Sequence, residues 1–243
     1  MSLDAIFPID QFLQGFSYMS SVNKNKVKAV IFDMDGVLID SERFYSSIWA
    51  KAGKPLGFNI DDSFYIEKLY GKSFKMCEDV MLEEYGKDFP VGKFISLVRN
   101  IFDEELASSG IPLRDGVAEL LDFVELRSLP KAIGTSGLME DVHRCLRPHN
   151  ILARFQAVST ADQVKHAKPA PDIFLNAASK IGVAAENIIV IEDSELGVLA
   201  AHRAGMRVIM ATDLIQPSRD IASKALKVVG SLHDVPMLID ELI

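Results

Sequence analysis

The chain has 243 residues, of which 49% are hydrophobic and 25% are charged, a composition typical of a globular protein with a buried core. A net charge of -8 argues against nucleic acid or an anionic membrane as a partner, and no apolar run approaches the length that crosses a bilayer. The N-terminus lacks the basic segment of a secretory signal, and Cys77 and Cys145 form neither a disulfide scaffold nor a zinc motif, so we expect a cytoplasmic protein.

Residues 1–26 form an N-terminal extension whose apolar side chains favour a short helix. The first strand follows, where the apolar run Ala29–Phe32 leads into Asp33 and Asp35. A short, wholly apolar run is typical of a strand buried in a parallel sheet, and ligands bind beyond the carboxyl ends of such strands. The two aspartates are two residues apart, so extended backbone would point both carboxylates the same way. The same pattern, followed by Gly36, also suits a polar turn that only closes a strand.

Helical spacing dominates the next part of the chain. Ser41 is a plausible N-cap of a first helix that ends near Gly53. Between residues 60 and 109 no strand-like run occurs, and helical segments are predicted at 64–69, 74–85 and 94–106. The sequence therefore predicts a small helical insert after the first strand.

Strands and helices alternate from residue 112 onward. Strands are predicted at 131–134, 155–159, 188–191 and 207–210, and helices at 117–126, 139–146, 172–181 and 194–204. This alternation predicts an α/β fold with a Rossmann-like parallel sheet and helices on both faces. The domains are then the extension at 1–26, the core at 27–45 and 112–243, and the helical insert at 46–111.

A second wholly apolar strand ends in Glu192 and Asp193, as the first ends in Asp33 and Asp35. Several carboxylates buried together are unfavourable unless a cation offsets their charge, and a cluster of oxygen ligands suits Mg²⁺. If the two strand ends meet, the sequence predicts a Mg²⁺ site there. Alternatively, Glu192 and Asp193 serve only the N-terminus of the next helix through its dipole.

Three further polar residues are candidates for holding an anion. Thr135 and Ser136 end a third strand, where a hydroxyl and backbone amides before a helix can cradle a phosphate, although such a segment is also a common loop. Lys168 precedes two nearby prolines that restrict the backbone and would hold the lysine in place. A loop lysine can equally be a solvated charge.

Four segments together resemble the motifs of the haloacid-dehalogenase superfamily. In chain order they are Phe32-Asp33-Met34-Asp35-Gly36-Val37-Leu38, the Thr135 position, His166-Ala167-Lys168-Pro169-Ala170-Pro171-Asp172-Ile173-Phe174, and Ile191-Glu192-Asp193-Ser194. They span nearly the whole chain from about residue 27 onward. The insert resembles the helical cap domain of the subgroup that contains β-phosphoglucomutase and small sugar-phosphate phosphatases.

The resemblance implies a Mg²⁺-dependent phosphatase that hydrolyses a small phosphorylated metabolite, either a sugar phosphate or a nucleotide-like monoester. Asp33 would attack phosphorus and form an aspartyl-phosphate, while Asp35 would act as general acid and then as general base. The metal ligands would be Asp33, the Asp35 carbonyl, Asp193 and, directly or through water, Glu192. The phosphoryl oxygens would be held by Thr135, Lys168 and the amides of Met34, Asp35 and Ser136.

Three residues of the insert lie where this subgroup has its substrate-specificity loop, namely Gly71, Lys72 and Lys75. The two lysines would face a polar substrate or would be plain surface charge. We expect a monomer that acts on a small phosphorylated metabolite, with no nucleic-acid or membrane partner.

Departures from the mutases favour a phosphatase. When this chain is aligned through the resemblance, β-phosphoglucomutases have a histidine, a lysine and a phosphate-binding arginine at the positions of Tyr45, Tyr70 and Phe74. A mutase has to hold a bisphosphate, and these differences remove most of a second anion site. A mutase-type phosphotransferase remains the alternative, and a non-catalytic phospholigand-binding protein is a third hypothesis.

Overall fold

The computed structural model describes residues 26–70, 72, 74–212 and 214–243. The helix predicted in the N-terminal extension and Gly71 of the predicted specificity loop lie outside these residues. In the described part of the chain, no helix combines the length and apolarity needed to span a membrane.

A six-stranded parallel sheet forms the centre of the molecule, in the order β3-β2-β1-β4-β5-β6. The strands are β1 (Ala29–Phe32), β2 (Lys131–Gly134), β3 (Ala157–Ser159), β4 (Ile188–Glu192), β5 (Arg207–Ala211) and β6 (Lys227–Val229). β1 is central and fully buried, with Val30 opposite Lys131 on one side and Ile189 on the other. The predicted parallel sheet is confirmed, and β6 is an edge strand that the sequence analysis did not predict.

Helices cover both faces of this sheet. Between β1 and β2 lie α1 (Ser41–Gly53), a helical turn at Asp62–Phe64 that continues as a π-helical turn at Tyr65–Leu69, α2 (Phe74–Tyr85) and α3 (Val91–Ser108). The later helices are α4 (Val117–Leu126), α5 (Met139–Leu146), α6 (Asp172–Ile181), α7 (Glu195–Arg203), α8 (Arg219–Ala222) and α9 (Val235–Asp240). Short 3₁₀ turns lie at Lys54–Leu56, Arg147–His149, Leu152–Arg154, Ala161–Gln163, Ala185–Asn187 and Leu232–Asp234.

The alternation of side chains along the strands assigns each helix to a face. Val30 belongs to a buried cluster with Leu121 of α4 and Ile239 of α9. Ile31 points to the other face and belongs to a cluster with Phe174 of α6. Because successive strand residues face opposite sides, these two clusters are the two layers that bury the sheet.

The helical insert leaves and re-enters the core at neighbouring points. Ile39 pairs with Leu113, and the amide of Asp40 donates to the carbonyl of Pro112 at 2.9 Å. This pairing joins the residues just before α1 to the segment by which the chain returns to the core. The division of the chain into a separate cap domain at 46–111 remains a prediction.

Candidate active site

The carboxyl ends of β1, β2 and β4 meet at one edge of the sheet. Because these three strands are neighbours, residues that are more than 150 positions apart in sequence become adjacent. They open onto a cavity of about 220 Å³. Its lining residues are Asp33, Asp35, Glu42, Tyr70, Thr135, Ser136, Lys168, Asp193, Ser194 and Leu196.

Lys168 is a fixed charge at the floor of this cavity. Its Nζ donates to Oδ1 of Asp33 at 2.5 Å and to Oε1 of Glu192 at 2.6 Å, and its side chain is only 6% exposed. Burial acts to lower the pKa of Lys168, but Asp33 and Glu192 more than offset it, so the pKa is raised and the ammonium stays charged. The alternative interpretation of Lys168 as a solvated loop lysine does not fit this geometry.

Glu192 joins that lysine to the start of α7. It is completely buried, and its Oε2 accepts hydrogen bonds from the amides of Asp193 at 2.8 Å and Ser194 at 2.7 Å, and from the Ser194 hydroxyl at 3.0 Å. A Cβ on Gly197 would lie 1.6 Å from Oε1 of Glu192, so only glycine leaves room for this carboxylate. Glu192 therefore uses almost all of its hydrogen-bond acceptor capacity to position Lys168, Asp193 and Ser194.

Three carboxylates converge beside Lys168. Asp33, Glu192 and Asp193 each offer an oxygen, and these atoms lie within 4.8 Å of one another. Burial, opposed by Lys168 and reinforced by Glu192 and Asp35, raises the pKa of Asp33 to about 7. Burial and the charges of Glu192 and Asp33 likewise raise the pKa of Asp193 well above its ordinary value. When all three carboxylates are ionised, they exceed the charge of the one lysine by two, and an all-oxygen donor set suits a hard divalent cation.

Asp35 lies on the turn after β1 and faces the same cavity. Burial raises its pKa, while the neighbouring Ser41 side chain and the charge of Lys168 act to lower it. The turn depends on Gly36, which has φ of +70° and lies so close to Asp193 that a Cβ would be 1.9 Å from its Oδ2. A raised pKa makes Asp35 suitable for carrying a proton.

Arg114 stabilises the turn after β1 and was not predicted from the sequence. Its buried guanidinium donates to the carbonyl of Gly36, to that of Ala211 at 2.8 Å and to that of Thr212 at 2.7 Å. It thereby ties the turn that carries Asp35 to the end of β5. Arg114 stands beside Asp115 in the loop at 110–116, and no residue pattern there marks the arginine as buried, so no signal in the sequence could have identified it.

The described specificity residues predicted in the insert do not line the cavity, unlike most of the site residues predicted in the core. Lys75 is 74% exposed in its side chain and pairs with Glu78 and Asp79 of α2. Neither Lys72 nor Lys75 is among the described residues that line the cavity. Their role in specificity remains a prediction. Glu42 does line the cavity, although its place in the first turn of α1 looks like an ordinary helix-stabilising acid.

Comparison with known proteins relates this architecture to a family. A family model described as "Haloacid dehalogenase-like hydrolase" matches residues 30–211. The chain is 29% identical over 184 residues to the phosphorylated carbohydrates phosphatase of Thermotoga maritima, which covers 74% of this chain and 82% of that protein. It is 30% identical over 234 residues to (DL)-glycerol-3-phosphatase 2 of Arabidopsis thaliana, which covers 88% and 91% respectively.

Solved structures show the same fold. A haloacid dehalogenase-like protein from Agrobacterium tumefaciens superposes with a TM-score of 0.74 at 25% identity, over 88% of this chain and 98% of that one. A hydrolase of the same family from Deinococcus radiodurans, with bound phosphate and sodium, gives a TM-score of 0.78 at 23% identity, over 90% and 97%.

Proposed function

The chain belongs to the haloacid dehalogenase-like hydrolases, and we propose that it is a Mg²⁺-dependent phosphatase acting on a small phosphorylated metabolite, either a sugar phosphate or a nucleotide-like monoester. The observation that carries this proposal is the convergence of Asp33, Asp35, Thr135, Lys168 and Asp193 on one cavity. The relatives named for phosphatase activity on phosphorylated carbohydrates and glycerol phosphate support the same substrate class.

Asp33 is the proposed nucleophile. A carboxylate oxygen of Asp33 would form a bond to phosphorus while the bond to the ester oxygen breaks, and Asp35 would give its proton to that leaving oxygen. The deprotonated Asp35 would then take a proton from water, whose oxygen attacks phosphorus and frees Asp33 and inorganic phosphate. The hydrogen bond from Lys168 supports a fixed orientation of the Asp33 carboxylate before attack.

Thr135 and Lys168 are the proposed phosphate-binding side chains. The Thr135 hydroxyl oxygen accepts a hydrogen bond from the amide of Gly137 at 3.0 Å, which leaves its own proton available for a phosphoryl oxygen. Ser136 and the amides of Met34 and Asp35 complete the proposed set. Phosphoryl transfer depends on positioning and on neutralising oxygen charge, and these groups supply both.

The proposed metal ligands are Asp33, Asp193 and the Asp35 carbonyl. The acidic cluster fits a divalent cation because its charge exceeds that of Lys168. Glu192 takes a supporting part, since its oxygens already accept hydrogen bonds from Lys168, Asp193 and Ser194. When bound, Mg²⁺ would neutralise charge on the phosphoryl oxygens and favour the ionised form of Asp33.

The cavity favours a phosphatase over a mutase. Lys168 is the one basic residue among the described residues that line the cavity, and Tyr70 occupies part of its wall. Tyr45 is stacked on Phe102, with ring centroids 5.6 Å apart. A bisphosphate would need a second cationic subsite, which these lining residues do not supply. Monomeric state and cytoplasmic location remain predictions, which light scattering and cell fractionation would test.

The test is phosphate release from p-nitrophenyl phosphate with MgCl₂ or with EDTA. We expect turnover only with the metal, and a loss of at least about a thousandfold in kcat for Asp33→Asn, because the nucleophile is removed. Asp88→Asn, which makes the same change at an exposed site on the insert, should behave like the wild type.

Two outcomes would argue against this function. A wild-type protein that releases phosphate from no monoester, in a screen of phosphorylated sugars and nucleotides, is not a phosphatase. Conversion of a hexose 1-phosphate to the 6-phosphate, stimulated by a bisphosphate, would instead support the mutase alternative.

A further inference from the structure

Part of the cavity wall is made by residues that the proposed chemistry does not use. Glu42 lies in the first turn of α1, and Tyr70 follows the π-helical turn of the insert. Leu196 lies in the first turn of α7, where it is 54% exposed. With a phosphate held by Thr135 and Lys168, the alcohol portion has to occupy the rest of the cavity, which this part of the wall borders. The chemistry of the wall therefore bears on which alcohol is accepted.

Glu42 is held in a defined position within that wall. The hydroxyl of Tyr65, a residue that is only 5% exposed, donates to Oε2 of Glu42 at 2.9 Å. The interaction connects α1 to the π-helical turn of the insert. A carboxylate has about four lone-pair sites, so one tyrosine leaves most of the acceptor capacity of Glu42 for another donor.

Acidic side chains outnumber basic ones among the described residues that line the cavity. Lys168 is the one basic residue among the described lining residues, and its ammonium is already shared between Asp33 and Glu192. A second phosphate or a carboxylate on the substrate would meet Glu42, and no cation other than Lys168 is found among the described lining residues. A hydroxyl would instead donate a hydrogen bond to this acceptor.

We propose that Glu42 is a specificity-determining residue that accepts a hydrogen bond from a hydroxyl of the leaving alcohol and rejects alcohols that carry a second anionic group. The substrate class is then the monophosphate of a neutral polyol or sugar. This inference rests on the proposed phosphatase function and narrows its substrate. Buried acceptors and uncompensated like charges are the usual means by which a site rejects near-identical ligands.

The test uses two pairs of substrates that differ only at the terminal carbon, which is a hydroxymethyl group in one and a carboxylate in the other. They are glucitol 6-phosphate with 6-phosphogluconate, and glycerol 3-phosphate with 3-phosphoglycerate. For the wild type we expect kcat/KM to favour the alcohol by about tenfold or more in at least one pair. In Glu42→Gln that ratio should fall at least about fivefold, because kcat/KM for the acid rises.

A rise in activity on the acid is a readout that general damage to the fold would not produce. Glu104→Gln is the matched control, since it removes the same charge from an exposed position on α3, and it should retain the wild-type ratio. Tyr65→Phe removes the hydrogen bond that holds the Glu42 carboxylate in position, so it should lower the ratio as well, by a smaller factor.

The outcomes separate this inference from the function on which it rests. A wild type that hydrolyses p-nitrophenyl phosphate but shows no preference for the alcohols, or prefers the acids, overturns the role of Glu42 alone. An unchanged ratio in Glu42→Gln, or an equal change in Glu104→Gln, overturns it as well. Absence of turnover with every ester, including p-nitrophenyl phosphate, overturns the phosphatase proposal and this inference together.

Discussion

Replacing Asp193 with asparagine tests whether the acidic cluster is a cation site. Oxygens of Asp33, Glu192 and Asp193 lie within 4.8 Å of one another, where two ionised carboxylates would repel by about 3–4 kcal/mol at an effective dielectric constant of ~20. Burial and this repulsion are the reasons that the pKa values of Asp33 and Asp193 are raised. Lys168 and Arg114 attract Asp193 and offset part of this repulsion. We therefore expect Asp193→Asn to raise the free energy of unfolding in EDTA by about 1–3 kcal/mol, or about 2–4 °C in Tm for each kcal/mol.

The same substitution should abolish stabilisation by the metal. At a Mg²⁺ concentration of about 100 times Kd, a folded protein with one site gains about 2.7 kcal/mol. Scanning calorimetry in EDTA and in MgCl₂ would measure both effects, with Asp88→Asn as the exposed control. The reasoning would be refuted if Asp193→Asn were less stable than the wild type in EDTA, or if Mg²⁺ raised the two Tm values equally.

Two other substitutions test packing beside Glu192 and electrostatics on the surface of the protein. Gly197→Ala should lower the free energy of unfolding by about 1–3 kcal/mol, because the new Cβ would lie 1.6 Å from Oε1 of Glu192. Gly92→Ala, where nothing lies within 4 Å, is its control; a similar loss there in urea unfolding would contradict the argument. Hydrogen bonding to Arg154 lowers the pKa of Glu125 from 4.5 to about 2, so Glu125 stabilises the fold above about pH 4.5 and this stabilisation is lost as the pH falls toward 2. Glu125→Gln should therefore lower Tm at pH 7 with a difference that shrinks toward pH 2, and a difference independent of pH would show that the carboxylate is not the cause.

Much of the fold was predictable because its signals are local. The apolar runs Ala29–Phe32 and Ile188–Ile191 correspond to β1 and β4, and the helix predicted at 172–181 has the same bounds as α6. Other boundaries differ: α3 begins at Val91, three residues before the predicted helix, and the strand predicted at 155–159 is confined to β3. β6 escaped prediction because it has three residues and begins with the exposed Lys227.

Some residues of the candidate site were likewise predictable from local sequence, and others were not. Asp33, Asp35 and Asp193 stand out in the sequence because each follows an apolar run that is typical of a buried strand. Arg114 does not stand out, since the three carbonyl groups that accept its hydrogen bonds belong to segments as much as 98 positions away. Glu42 has the appearance of a routine first-turn glutamate until the insert brings Tyr65 to it.

Residue order was therefore sufficient to identify five of the six strands, most of the helices and the acids at the strand ends, because these depend on side chains within a few positions of one another. Which of those acids share a cavity, and which residues of the insert form its wall, depends on strand pairing and on the path of the insert. Both follow from the free energy of burying the whole core, which no short segment contains.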